Sequence, residues 1–204
     1  MIENIHWLGH AAFMITGKAV IYIDPYKIKE GSRKADVLLI THGHADHFSQ
    51  EDIKKIVKPE TIFVAPHLVA PSIDGQVRTV HPGDKINIGD IGIEAVPSYN
   101  IGKRFHPPAA KNVGYIVTVL GLRIYHAGDT DVIPEMKNIQ TDIALLPCGG
   151  TYTMNAQEAA QAAALIKPQI VIPMHGGTGT GSRADADNVK KFCTGCEVVI
   201  LRAE

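Results

Sequence analysis

Apolar residues fall in short runs along this chain rather than in long ones. Ala19–Ile23, Val37–Ile40, Thr61–Ala65, Ile91–Val96, Val113–Val119, Leu122–Tyr125, Ile143–Leu146, Ile170–Pro173 and Val198–Leu201 are rich in Val and Ile and predict strands. Several are apolar at nearly every position, the pattern of a strand covered on both faces. Gly121 separates two such runs and predicts a hairpin turn, while Gly102, Gly128, Gly149 and Gly150 punctuate others. Helical signals lie between the strands. Asn155-Ala-Gln-Glu158 has the spacing of a capping box, opens an Ala-rich stretch to Ile166 and is followed by Pro168 as a stop. Ser182 is placed to cap a helix running toward Phe192, and Ser49 one running to about Val57. There is no internal repeat and no linker, so residues 1–204 read as a single mixed α/β domain.

Composition changes this picture little. Of 204 residues, 45% are apolar and 20% charged, ordinary values for a globular chain. The formal net charge of -1 supplies no field to recruit nucleic acid or an anionic membrane, so neither is an expected partner. The short basic clusters Arg33/Lys34 and Lys54/Lys55/Lys58 are interrupted and read as solvated surface. The opening residues lack the basic start and apolar run of a secretory signal, and no segment has the length of a bilayer span. The odd set Cys148, Cys193 and Cys196 suits a reducing compartment, and a cytoplasmic location is expected. Cys193-Thr-Gly-Cys196 has C-x-x-C spacing but no second pair, so it reads as structural.

The chemistry concentrates in Thr41-His42-Gly43-His44-Ala45-Asp46-His47, directly after the run Val37–Ile40. Three imidazoles and a carboxylate suit zinc, manganese, iron or nickel. Gly43 and Ala45 keep the loop slim enough to curl around an ion. With ten histidines in the chain, an H-x-H-x-D-H string would arise by chance on the order of once in a thousand such sequences. A metal site is the better reading.

T-H-x-H-x-D-H after a strand resembles the signature of the metallo-β-lactamase superfamily, whose fold is a four-layered αββα sandwich. Trp7-Leu-Gly-His-Ala-Ala-Phe13, Tyr22-Ile-Asp-Pro25, His126-Ala-Gly-Asp-Thr130 and Pro173-Met-His-Gly176 are similar to further landmarks of its small lactonase-like, metal-dependent hydrolase branch, in the same order. The resemblance implies that His42 and His44 bind a first divalent ion and Asp46 and His47 a second. It further implies that Asp129 bridges the two and that His175 completes the second site. Zinc is the first expectation for the pair of ions. The family's remaining histidine falls where this chain has Asn100, a poor ligand for a borderline ion. Two histidines could replace it, His10 as the first expectation and His106 as the second, with His106 expected rather to serve substrate or proton transfer. Asp24 is expected to orient a ligand histidine.

The implied chemistry is attack by a metal-bound hydroxide, oriented by Asp46, on a small ester, lactone or phosphodiester. No G-x-S-x-G elbow offers a serine nucleophile. Lys103, Arg104 and the glycine-rich stretch His175–Ser182 are candidate contacts for an anionic substrate. The rival readings are a non-catalytic metal-binding scaffold, which the Asn100 departure favours, and a di-iron redox protein on the same fold. The resemblance weighs against the latter, because that branch carries a carboxylate where this chain has His44. An RNA-processing nuclease would need an accessory domain.

Overall fold

The Val/Ile runs do form strands, and their backbone pairing sorts them into two mixed sheets. The computed structural model describes residues 2–176 and 182–204, and tertiary contacts divide the chain into two units, Met1–Val80 with Leu201–Glu204 and His81–Ile200.

In the first unit, strands β1 (Ile5–Gly9), β2 (Ala12–Ile15), β3 (Ile21–Ile23), β4 (Val37–Leu39), β5 (Ile62–Pro66) and β6 (Gln76–Val80) lie in that order across one sheet. The β1-β2-β3 pairings are antiparallel and the β3-β4-β5-β6 pairings parallel. Helix α1 (Gln50–Ile56) starts where Ser49 accepts a hydrogen bond from the Asp52 amide, and it buries Ile53 and Ile56 against Tyr22, Leu38, Ile40 and Phe63. Burying such aliphatic and aromatic side chains stabilises a fold by roughly 1.5–3 kcal/mol each.

In the second unit, β7 (Lys85–Ile88), β8 (Ile91–Pro97), β9 (Val113–Val119), β10 (Leu122–His126), β11 (Ile143–Pro147), β12 (Ile170–Met174) and β13 (Glu197–Val198) again follow chain order across the sheet. Pairing is antiparallel from β7 to β10 and parallel from β10 to β13. The hairpin turn expected at Gly121 joins β9 to β10 through Leu120 and Gly121, both at positive φ (56° and 74°) as in a type I′ turn. Helices α2 (Ala156–Ile166) and α3 (Arg183–Phe192) pack together. Asn155 and Glu158 form the capping box ahead of α2, and Ser182 and Asp185 form another ahead of α3.

The sequence pattern passed over β1, β2, β6 and β7. Three of these are edge strands, and β6 and β7 are mostly exposed or half-buried, so few of their side chains need be apolar. Among the described residues, no helix is long and apolar enough to cross a membrane.

Candidate metal centre

The donor residues sit where parallel strands end, the usual place for a ligand site in a sheet of this kind. In the first unit, β3 runs into Asp24 and β4 into Thr41–His47. In the second, β10 runs into Gly128-Asp129 and β12 into His175.

Asp24 organises the first set. Its fully buried carboxylate accepts from the Thr41 amide (2.8 Å), from the Thr41 hydroxyl (2.6 Å) and from Nδ1 of His47 (2.7 Å). Because His47 gives its Nδ1 proton to Asp24, Nε2 is left with a lone pair. Because the Thr41 hydroxyl spends its proton on Asp24, its oxygen accepts from Nδ1 of His42 at 3.0 Å, and Nε2 of His42 is a lone-pair donor as well. One carboxylate thereby sets the tautomer of two histidines. Nε2 of His42 lies 3.1 Å from Nδ1 of His44. Two ligands each 2.0–2.1 Å from a tetrahedral zinc lie about 3.3 Å apart, so the spacing suits a shared ion.

His10 was expected to complete the His42/His44 pair. Its ring instead lies with Asp46 and His47, where the three offer ligand atoms within 4.8 Å of one another. Its Nε2 is 3.0 Å from Asp46 Oδ2, and the Trp7 indole donates to its carbonyl at 2.9 Å. The His10 contact holds the Asp46 carboxyl well below the usual carboxylate range, against the opposing effect of burial. These are the charge state and the donor types that a divalent ion requires.

In the second unit, Asp129 Oδ2 lies 3.2 Å from Nε2 of His175 and 3.5 Å from Nε2 of His106, and all three side chains are buried. Those separations again match neighbouring ligands on one ion. The structure thus brings His106, expected to serve substrate or proton transfer, beside Asp129. Asn100 is not among these residues. Its Nδ2 donates to the carbonyls of Phe105 (3.0 Å) and Tyr152 (2.6 Å) and approaches His106 Nδ1 at 3.2 Å. The amide's two protons are taken by the two carbonyls, so Asn100 ties two loops together and does not decide which ring nitrogen of His106 is protonated.

Four of the eight non-glycine residues at positive φ among the described residues belong to this set, the others being Lys27, Lys111, Leu120 and Lys167. His10, Asp24, His106 and His175 have φ of 52°, 48°, 59° and 56°, in the left-handed region that costs a non-glycine residue about 1–2 kcal/mol. Such strain gathers at functional sites.

Comparison with known proteins places the chain in a family. A family model described as a beta-lactamase superfamily domain matches residues 4–175, running across both units. The chain belongs to the metallo-β-lactamase superfamily. It also falls within the UPF0173 group, several of whose members are named metal-dependent hydrolases. One from Thermoplasma acidophilum is 35% identical, with 100% of this chain and 98% of the relative covered. The crystal structure of a putative metal-dependent hydrolase from Parabacteroides distasonis superposes with a TM-score of 0.86 at 35% identity, covering 98% of this chain and 92% of that one. CmlA, a diiron β-hydroxylase from Streptomyces venezuelae, gives a TM-score of 0.78 over 98% of this chain and 52% of its own, but at 15% identity it shows the fold alone.

For a metallo-β-lactamase chain, two expectations about substrate contacts come out differently. Lys103 is engaged within the fold, bonded to the Asp131 carboxylate and donating to the Thr153 carbonyl at 2.7 Å. Arg104 stays exposed, its guanidinium 5.6 Å from the centre of the Phe105 ring. The glycine-rich stretch after Gly176 lies outside the described residues until Ser182. Cys148 is no nucleophile candidate, since burial pushes its thiol up to about 12.

Proposed function

We propose that this chain is a binuclear metal-dependent hydrolase acting on a small ester, lactone or phosphodiester, with His42, His44, Asp46, His47, Asp129 and His175 as metal donors. The observation that carries the reading is the Asp24–Thr41–His42 and Asp24–His47 network, which prepares two imidazoles as Nε2 donors before any ion arrives. A buried carboxylate spent on two histidine tautomers is what a metal centre calls for. His106, beside Asp129, takes the role of the histidine that Asn100 does not supply, and His10 joins Asp46 and His47. When bound, divalent ions supply Lewis acidity and an activated water, so no serine or cysteine nucleophile is needed. Before any ion arrives, the His10 contact keeps Asp46 ionised and so ready to bind one, and with ions bound its carboxylate would orient that water.

Metal content by plasma mass spectrometry, on protein purified without added metal or chelator, tests the reading. Wild type should hold about two ions per chain. His47→Ala and His175→Ala should each lower that count, together with hydrolysis of an ester, lactone and phosphodiester panel. Wild type that takes up no ion, even after incubation with zinc or manganese, would end the proposal.

A further inference from the structure

The loop that delivers His106 carries features that the metal donors do not explain. Phe105 and Tyr152 remain 39% exposed, although large aromatic side chains gain by burial. Their rings meet edge to face at 5.4 Å, and the Phe105 ring centre lies 6.4 Å from that of His106. Asn100 fastens both residues by their carbonyls, so this small aromatic wall is fixed beside His106. Arg104 lies against the Phe105 ring and has no carboxylate partner among the described residues. An exposed apolar surface next to an unpaired guanidinium and a metal donor has the makings of a recognition site.

We infer that Phe105, Tyr152 and Arg104 form a specificity subsite for an aryl-bearing anionic substrate. This rests on the hydrolase reading above. The aromatic wall receives the aryl group, and Arg104 meets the anionic charge. The network around Asp131 explains why Arg104 has this task rather than Lys103. Asp131 accepts from the Ile101 amide at 2.8 Å as well as from Lys103, so that lysine braces the loop while the arginine is left outward.

Two phosphonates that share a head group separate the two ideas. Benzylphosphonate and methylphosphonate would be titrated calorimetrically into zinc-loaded wild type, Phe105→Ala, Tyr152→Ala and Arg104→Ala. Wild type should bind the benzyl compound about tenfold more tightly, the effect of burying one aromatic ring. Phe105→Ala and Tyr152→Ala should each reduce that preference while still binding methylphosphonate, which shows the metal centre intact. Arg104→Ala should weaken both compounds in similar proportion. Equal binding of the two compounds by wild type would overturn the subsite and leave the hydrolase reading standing. So would a wild-type dimer in gel filtration that Phe105→Ala dissolves, because the wall would then belong to a second copy of the chain. Failure to take up zinc would overturn both ideas.

Discussion

Nδ1 of His47 donates to the Asp24 carboxylate at 2.7 Å, with both side chains fully shielded from solvent. Twenty-three positions apart in the chain, the two residues meet because β3 and β4 run parallel and end on the same side of their sheet. Asp24→Asn keeps the shape but sets an amide against groups that all donate. Metal affinity should fall by about 10- to 100-fold, as for other residues that orient ligand histidines. A competitive chelator titration reads this directly. Affinity within twofold of wild type would show that His47 does not depend on Asp24.

Asn100→Ala leaves the partly buried carbonyls of Phe105 and Tyr152 without their shared donor. Losing such a donor costs about 1–3 kcal/mol, which urea denaturation would register. Asn100→His, although it restores the residue usual in the superfamily, should be no better than alanine in stability. An imidazole cannot give two protons to two carbonyls while leaving His106 in place. A stabilised Asn100→His variant with raised metal affinity would contradict the role assigned to this amide.

Acid sensitivity should trace in part to Asp36. The Lys58 ammonium and the Val20 amide hold its carboxyl below the ordinary range. A carboxyl lowered by folding adds stability that is present above its unfolded pKa of about 3.9 and is lost as pH falls through the lower folded value. Asp36→Asn should therefore be less stable than wild type near neutrality, with the gap closing below about pH 4. The contribution is modest because the pair is partly exposed to screening solvent. Parallel urea curves at pH 7 and pH 3 with an unchanged gap would refute this.

Tyr125 offers the opposite case. Its hydroxyl is fully buried and has no hydrogen-bond partner among the described residues, and burial raises its pKa. Tyr125→Phe removes a polar group that was desolvated without compensation. It should be neutral or stabilising by about 1–2 kcal/mol, with metal content unchanged. A loss of stability would point to a hydrogen bond through ordered water.

The candidate ligand loop stood out in the sequence because its histidines and aspartate fall within six positions and such a cluster has few other uses. So did Asp24, since a carboxylate ending an apolar strand needs partners, and Thr41 and His47 supply them. The place of His10 was not legible. It depends on a turn in which Gly9 and His10 both take positive φ and the Trp7 indole pins a carbonyl. Asn100 read as a failed ligand because its partner Tyr152 lies fifty-two positions away, on a loop whose approach no local pattern encodes. The central strands announced themselves through all-apolar runs, while edge strands such as Lys85–Ile88 carry too few buried positions to do so.

The left-handed corners at His10, Asp24, His106 and His175 have an evolutionary consequence. At each, glycine would satisfy the backbone better than the residue present, at the expense of a donor or its anchor. Under selection for durability alone, these four positions would drift toward glycine. Their occupation by histidine and aspartate measures how much conformational comfort this lineage has given up to keep those side chains.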